Sequence, residues 1–147
     1  MLTIKEMQQE DYSAIMELVQ RFYSSDAVDH AVEEEILQRM LGDAIAKDKG
    51  LYGYALWEGD MLVGFGYVTS YYCTEVAGTC IMLEDLFIAE DCQGKGYGTL
   101  YIEEMKKRYP EARRFRLEVT PHNTGAKKLY QRLGFEMLPY EQMIWNV

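Results

Sequence analysis

Met82-Leu83-Glu84-Asp85-Leu86-Phe87-Ile88-Ala89-Glu90-Asp91-Cys92-Gln93-Gly94-Lys95-Gly96-Tyr97-Gly98 is the stretch from which the remainder of the chain can be read. Met82 to Ile88 is apolar and rich in branched and aromatic residues, the composition of a buried strand. It nevertheless carries an acidic pair, Glu84 and Asp85, where burial is costly, and that conflict points to a site. After the glycines, Leu100, Ile102 and Met105 alternate with Glu103, Glu104, Lys106 and Lys107 as in an amphipathic helix. The glycines therefore lie between a strand and a helix start. At such a turn the backbone N–H groups lack helical partners, the helix dipole favours negative charge, and residues without Cβ let a phosphate approach the main chain.

The spacing is not G-x-x-x-x-G-K-[ST], which excludes a P-loop, and it is not G-x-G-x-x-G after a first strand, which argues against a dinucleotide fingerprint. It does match Q-x-x-G-x-G, as Gln93, Gly96 and Gly98. Downstream, Asn123, Ala126, Leu129, Tyr130, Leu133, Gly134 and Phe135 form a second pattern in the same order along the chain. Together the two resemble the signatures of the GNAT superfamily of N-acetyltransferases. The resemblance covers most of the chain and is strongest from about Met61 to Phe135. It implies an α+β fold, a mixed and mostly antiparallel sheet with splayed central strands and helices on both faces. It also implies acetyl-CoA as cosubstrate. Main-chain groups of Leu86, Phe87 and Ile88 would then bind the pantetheine arm, and Gln93, Gly94, Lys95, Gly96, Tyr97, Gly98 and Thr99 the pyrophosphate. Asn123 and Tyr130 would border the pantetheine and the thioester.

At 147 residues the chain makes one domain, residues 1 to 147, large enough to bury roughly 68–70% of its unfolded surface. Its 48% hydrophobic and 27% charged composition is that of a soluble globular protein, with no apolar run long enough to span a bilayer. The N-terminus has neither a basic lead nor an apolar signal core, so the expected location is cytoplasmic. The net charge of -9 repels phosphate backbones, which argues against a nucleic-acid partner and favours a cationic small molecule or basic peptide. Cys73, Cys80 and Cys92 lack metal-ligand spacing and the histidines are only His30 and His122, so no metal is expected.

In chain order, Leu2 to Met7 reads as a strand, and Ile15, Leu18, Val19 and Phe22 recur at helical spacing. A second helix opens on Glu33, Glu34 and Glu35, and Lys47 to Gly50 ends it. Leu51 to Trp57 and Met61 to Tyr72 form a hairpin around Glu58-Gly59-Asp60, and Cys80 to Ile88 pairs next. Phe115 to Val119 is a further strand, followed by a short helix capped by Asn123. Phe135 to Leu138 and Gln142 to Val147 are expected as a final pair of strands around Pro139.

The stretch Leu83 to Phe87 resembles polyamine-type acetyltransferases, which implies Glu84 as catalytic base, acting directly or through water, with Asp85, expected to face the other way, as fallback. Tyr130 lies on an i, i+3, i+4, i+7 face with Ala126, Leu129 and Leu133, a pattern that by itself reads as core. The resemblance makes it the acid that protonates the departing thiolate, since a phenol stays protonated at pH 7. The Phe87 N–H would polarise the thioester carbonyl. The acceptor would meet Tyr23, Asp26 and His30, with Glu84, in a site built by the first two helices. The expected function is acetyl transfer to a primary amine, with a peptide amine or a non-catalytic acyl-CoA sensor as alternatives. Met143 to Val147 also reads as an edge strand able to serve a homodimer.

Overall fold

A computed structural model describes residues 1–147. Five strands form one sheet in the order β1 (Leu2–Glu6), β2 (Tyr52–Glu58), β3 (Met61–Cys73), β4 (Gly78–Ile88) and β5 (Arg114–Leu117). Each neighbouring pair among the first four is antiparallel, and β5 joins β4 in parallel. Helices α1 (Tyr12–Tyr23) and α2 (Glu34–Ala46) separate β1 from β2, α3 (Tyr97–Arg108) follows β4, and α4 (Thr124–Arg132) follows β5. No helix is long and apolar enough to cross a membrane.

The alternation of strand side chains sends α1 and α2 to one face and α3 to the other. On the first face Phe22 of α1 packs its ring 5.9 Å from Phe65 and 5.7 Å from Phe87. Gly53 lies there as well, because a Cβ would stand 3.1 Å from the Ala44 methyl of α2. On the other face Tyr101 of α3 lies over Gly66, where the absence of a side chain admits the buried phenol ring. A Cβ on Gly66 would meet Tyr101 Cε2 at 2.8 Å as well as its hydroxyl. Gly66→Ala is therefore expected to destabilise the fold by about 1–3 kcal/mol, the usual range for overpacking. A urea midpoint unchanged in that variant would mean that the ring does not occupy this place.

The expected order of elements holds through α4, and β5 begins one residue before the reading and ends at Leu117 rather than Val119. The final pair of strands does not form. Residues 135–147 have no ladder partner, and Met143, Ile144, Trp145 and Val147 are almost fully exposed. Residue pattern alone cannot supply a strand, because extended backbone needs a neighbour's N–H and C=O groups, and Pro139 brings no donor.

Candidate active site

The β4–β5 ladder joins Cys80–Leu83 to Arg114–Leu117 and then stops. Beyond Leu83, β4 continues to Ile88 paired only with β3, so its other edge, including Leu86, Phe87 and Ile88, has no strand beside it. Glu118 to Thr120 diverge from it. The resulting V encloses a cavity of about 60 Å³ bordered by Glu84, Asp85, Leu86, Thr120, Asn123 and Tyr130. That is room for about two water molecules, so the walls have to spread when larger ligands arrive.

Glu84 and Asp85 are neighbours in sequence, yet both line this cavity, and the cause is a β-bulge. Tyr67 pairs with Asp85 and Val68 with Leu83, which leaves Glu84 without a partner on β3. The expectation that Asp85 faces away from Glu84 thus gives way to a local break in the alternation. Glu84 is exposed, and its Oε2 accepts a 2.5 Å hydrogen bond from the Thr69 hydroxyl. Asp85 is half-buried, on the face of Tyr67 and Phe87, and its Oδ2 accepts a 2.5 Å hydrogen bond from the Tyr23 hydroxyl at the end of α1. Burial pushes the Asp85 carboxyl up to about 6, with the Glu84 charge adding to it and the Tyr23 bond opposing it. Burial, then the Asp85 charge, holds Tyr23 well above the ordinary phenol range, so Tyr23 stays a donor.

Tyr23 also lines an open cleft of about 530 Å³ with Ser25, Asp29, His30 and Glu34. Its ring therefore stands between that cleft and the carboxylates. His30 borders the cleft rather than the cavity, with Nδ1 2.5 Å from Asp29 Oδ1, and both side chains are largely exposed. Asp26 is exposed and borders neither space.

The glycine turn follows β4 through a short 3-10 turn, Glu90–Cys92. Gly94 and Gly96 adopt φ of 80° and 81°, the left-handed region open to glycine, and Gly96 is the N-cap of α3. Nothing lies within 4 Å of where either Cβ would be, so the main chain is bare on that side. The side chains of the turn are engaged elsewhere. Gln93 Nε2 donates to Ile88 O at 2.9 Å and ties the end of β4 to the turn. Lys95 Nζ lies 3.4 Å from Glu58 Oε2, to which the Tyr97 hydroxyl also donates. Gly98 plays a different part: a Cβ there would stand 3.0 Å from Leu129 Cδ2, so it sets the approach of α4 to α3. Thr99 follows in the first turn of α3, half-buried.

The second sequence pattern builds the remaining wall. Asn123 Oδ1 accepts from Ala126 N at 3.3 Å and caps α4. Tyr130, about two turns further, is half-buried, and burial raises its phenol, which keeps it protonated at neutral pH. Two hydroxyls escaped the sequence reading. Thr120 Oγ1 borders the cavity, buried and without a hydrogen-bond partner, and the Tyr67 hydroxyl, on the strand position opposite Asp85, is likewise buried and unpaired. Neither carried a signal, since a threonine after a strand and a tyrosine within one are ordinary.

No curated protein matches the chain. Solved structures do: a possible acetyltransferase from Clostridium difficile 630 superposes with a TM-score of 0.80 at 16% identity, covering 99% of this chain and 97% of that one. Aminoglycoside N-acetyltransferase AAC(6')-Iy, in complex with the bisubstrate analogue CoA-S-monomethyl-acetylneamine, gives 0.78 at 16% identity over 100% and 97% of the two chains. A ribosomal-protein-alanine N-acetyltransferase from Brucella melitensis biovar Abortus 2308 gives 0.79 at 14% identity over 99% of both. At such identities these likenesses speak to the fold alone. The model of the Acetyltransferase (GNAT) family matches residues 12–135, from the first residue of α1 to just beyond α4, and by that match the chain belongs to the GNAT family and is an acyltransferase.

Proposed function

We propose that the protein transfers the acetyl group of acetyl-CoA to the nitrogen of a small cationic amine, directly, within a ternary complex. The observation that carries this reading is the pair of carboxylates brought into one cavity by the β4 bulge, beside an unpaired strand edge and a bare glycine turn. The open edge of β4 at Leu86, Phe87 and Ile88 fits the amides of a pantetheine arm as an added strand would. The N–H groups from Gly94 to Thr99 fit a pyrophosphate at the start of α3. Thr120, an orphaned hydroxyl facing the same space, fits a polar group of the incoming ligand.

Acetyl-CoA supplies an activated acyl group as its thioester; the rest falls to this chain. An alkyl ammonium, with pKa about 10.4, has to lose a proton before it can attack, and Glu84, on the exposed side of the bulge, accepts it directly or through water. Asp85, ionised above about pH 6 and holding only the Tyr23 hydroxyl, gives the cation a buried counter-charge. The C–N bond forms as the C–S bond breaks, with a main-chain N–H of the open β4 edge as donor to the carbonyl oxygen; the Phe87 N–H is turned to β3 by its pairing with Phe65. Tyr130 gives its proton to the leaving thiolate and is reprotonated from solvent, and the second proton leaves nitrogen through Glu84 once Glu84 has passed the first to water. Most of the rate comes from holding the two reactants together, so no covalent enzyme intermediate is needed. The acceptor enters from the cleft past Tyr23, whose rim carries Asp29 and Glu34. The acetylneamine portion of the analogue held by AAC(6')-Iy, an amino sugar, agrees with this substrate class.

The test is thiol release from acetyl-CoA against polyamines, amino acids, aminoglycosides and basic peptides, with coenzyme binding by calorimetry alongside. Turnover on one of the small amines is expected, and turnover on peptides alone would overturn the acceptor class. Gly96→Asp separates the coenzyme site from the fold. The φ of 81° strains an aspartate, so some stability is lost and binding is measured on protein whose circular dichroism shows it folded, whereas its charge competes with phosphate. Coenzyme affinity is expected to fall at least about tenfold, an energetic loss of about 1.4 kcal/mol. Unchanged affinity would remove the turn from the binding site.

A further inference from the structure

We propose that Glu58, at the end of β2, is a positioning residue for the coenzyme: its carboxylate holds the glycine turn by Lys95 and Tyr97 and keeps the N–H groups of that turn aimed at the pyrophosphate. This role rests on the coenzyme site assigned above and adds to it a residue from another part of the chain. After Gln93, the first residue whose N–H finds a backbone acceptor is Leu100, which donates to Gly96 O at 3.1 Å, and no side chain caps α3. The N–H groups from Gly94 to Thr99 are therefore unpaired, as an anion site requires. Free amides bind an anion tightly only where they already converge, since ordering them at the moment of binding costs affinity. This stretch has little of its own to order it. Gly94 and Gly96, both at positive φ, have nothing within 4 Å of a Cβ position, and glycine has the most conformational freedom to lose.

The turn is instead held from outside. At its entry Gln93 Nε2 donates to Ile88 O, and at its exit Gly98 lies against Leu129 of α4. Between them every side-chain hydrogen bond runs to Glu58, whose Oε2 accepts from the Tyr97 hydroxyl and lies 3.4 Å from Lys95 Nζ. Lys95 stands 5.9 Å from the centre of the Tyr97 ring, so the three side chains close on one another. Tyr97 is the first residue of α3, directly after the N-cap, and fixing its side chain fixes the peptide planes beside it. Glu58 is itself set by the sheet, opposite Leu2 on β1 and Met61 on β3. The ion pair adds little to stability, because the Lys95 and Glu58 side chains are 46% and 29% exposed. A carboxylate beside an anion site also repels the ligand, and the Lys95 ammonium offsets that repulsion.

Calorimetric titration with acetyl-CoA, and steady-state kinetics on the amine that turns over, test the role in Glu58→Ala, Glu58→Gln and Tyr97→Phe. In Glu58→Ala the Kd and KM of acetyl-CoA are expected to rise about tenfold, as for a lost hydrogen bond to a charged group. The kcat at saturating coenzyme, the KM of the amine and the urea midpoint should stay as in the parent. Glu58→Gln should remain within about threefold of the parent, because an amide oxygen still accepts from the Tyr97 hydroxyl. Tyr97→Phe should reproduce part of the rise, and gives a second reading should Glu58→Ala fold poorly. Without coenzyme, backbone order parameters of residues 94–97 from NMR relaxation should fall from about 0.85 in the parent to below about 0.6 in Glu58→Ala. Unchanged or tighter coenzyme binding in Glu58→Ala, a Glu58→Gln variant as weak as Glu58→Ala, or an equal loss in kcat and stability each overturns the proposal. Where Glu58→Ala leaves the affinity intact, Gly96→Asp tells the two readings apart: weaker binding there dismisses Glu58 alone, and unchanged binding dismisses the turn with it.

Discussion

With Glu84 replaced by Gln, acetyl transfer at pH 7 is expected to slow by about 10²–10³-fold in kcat, the range associated with losing a general base. The variant should fold normally, because Glu84 is exposed and an amide oxygen can still accept from Thr69. Coenzyme affinity should not change. Without a base, the rate should depend on the small fraction of amine already neutral, rising about tenfold per pH unit toward the amine pKa of about 10.4. Steady-state rates between pH 6 and 9 therefore read the assignment twice, in magnitude and in slope. An unaltered kcat with an unaltered pH profile would transfer the role to Asp85.

Asp85→Asn should behave differently, because the same neighbourhood gives this carboxyl a different task. Losing a buried counter-charge is expected to raise KM for the amine about 10- to 100-fold, as for other charged hydrogen bonds. In the parent protein, amine affinity should decline as pH falls through about 6, where Asp85 takes up a proton, and the variant should lack that decline. Stability should move the other way. A carboxyl raised in the fold from 3.8 to about 6 favours the native state below the lower value, and that contribution is lost as pH rises through the upper one. At neutral pH the ionised Asp85 is then a burden of about 3 kcal/mol. Asp85→Asn should relieve most of it at pH 7 and nothing at pH 4, by urea titration. The groups facing this carboxyl are Tyr23 from α1 and Tyr67 from β3, both of which burial keeps protonated, and Glu84 from its own strand, whose charge adds to the rise. A variant no more stable at pH 7 than its parent would mean that Asp85 is not ionised in the cavity.

Much of this arrangement is legible in the sequence because the signals are local. The apolar faces of α1 and α2, the Glu58-Gly59-Asp60 hairpin and the glycines before α3 each express a backbone or burial requirement within a few residues. Glu84 and Tyr130, which the motifs single out, both border the cavity. Asp85 was misjudged because alternation is a rule for unbroken ladders, and a bulge depends on how β3 pairs with β4, which no window of one strand contains. The last strands were misjudged for a related reason. Gln142 to Val147 has the composition of a strand, but a partner backbone is a property of the whole assembly of elements, and the segment lies against no strand of this fold.

The bulge also divides β4 into two phases. Before Glu84, odd-numbered residues such as Leu83 share a face with Val68; after it, Asp85 and Phe87 share a face with Tyr67 and Phe65. Its odd-numbered residues thus face the α3 side of the sheet in the first half of the strand and the α1 side in the second. One surplus residue supplies the change of phase, and that residue is Glu84. Fold and chemistry are in this way separable by a single unit of chain length: the ladder could close without Glu84, and what its insertion adds is two carboxylates of opposite exposure opening on one space.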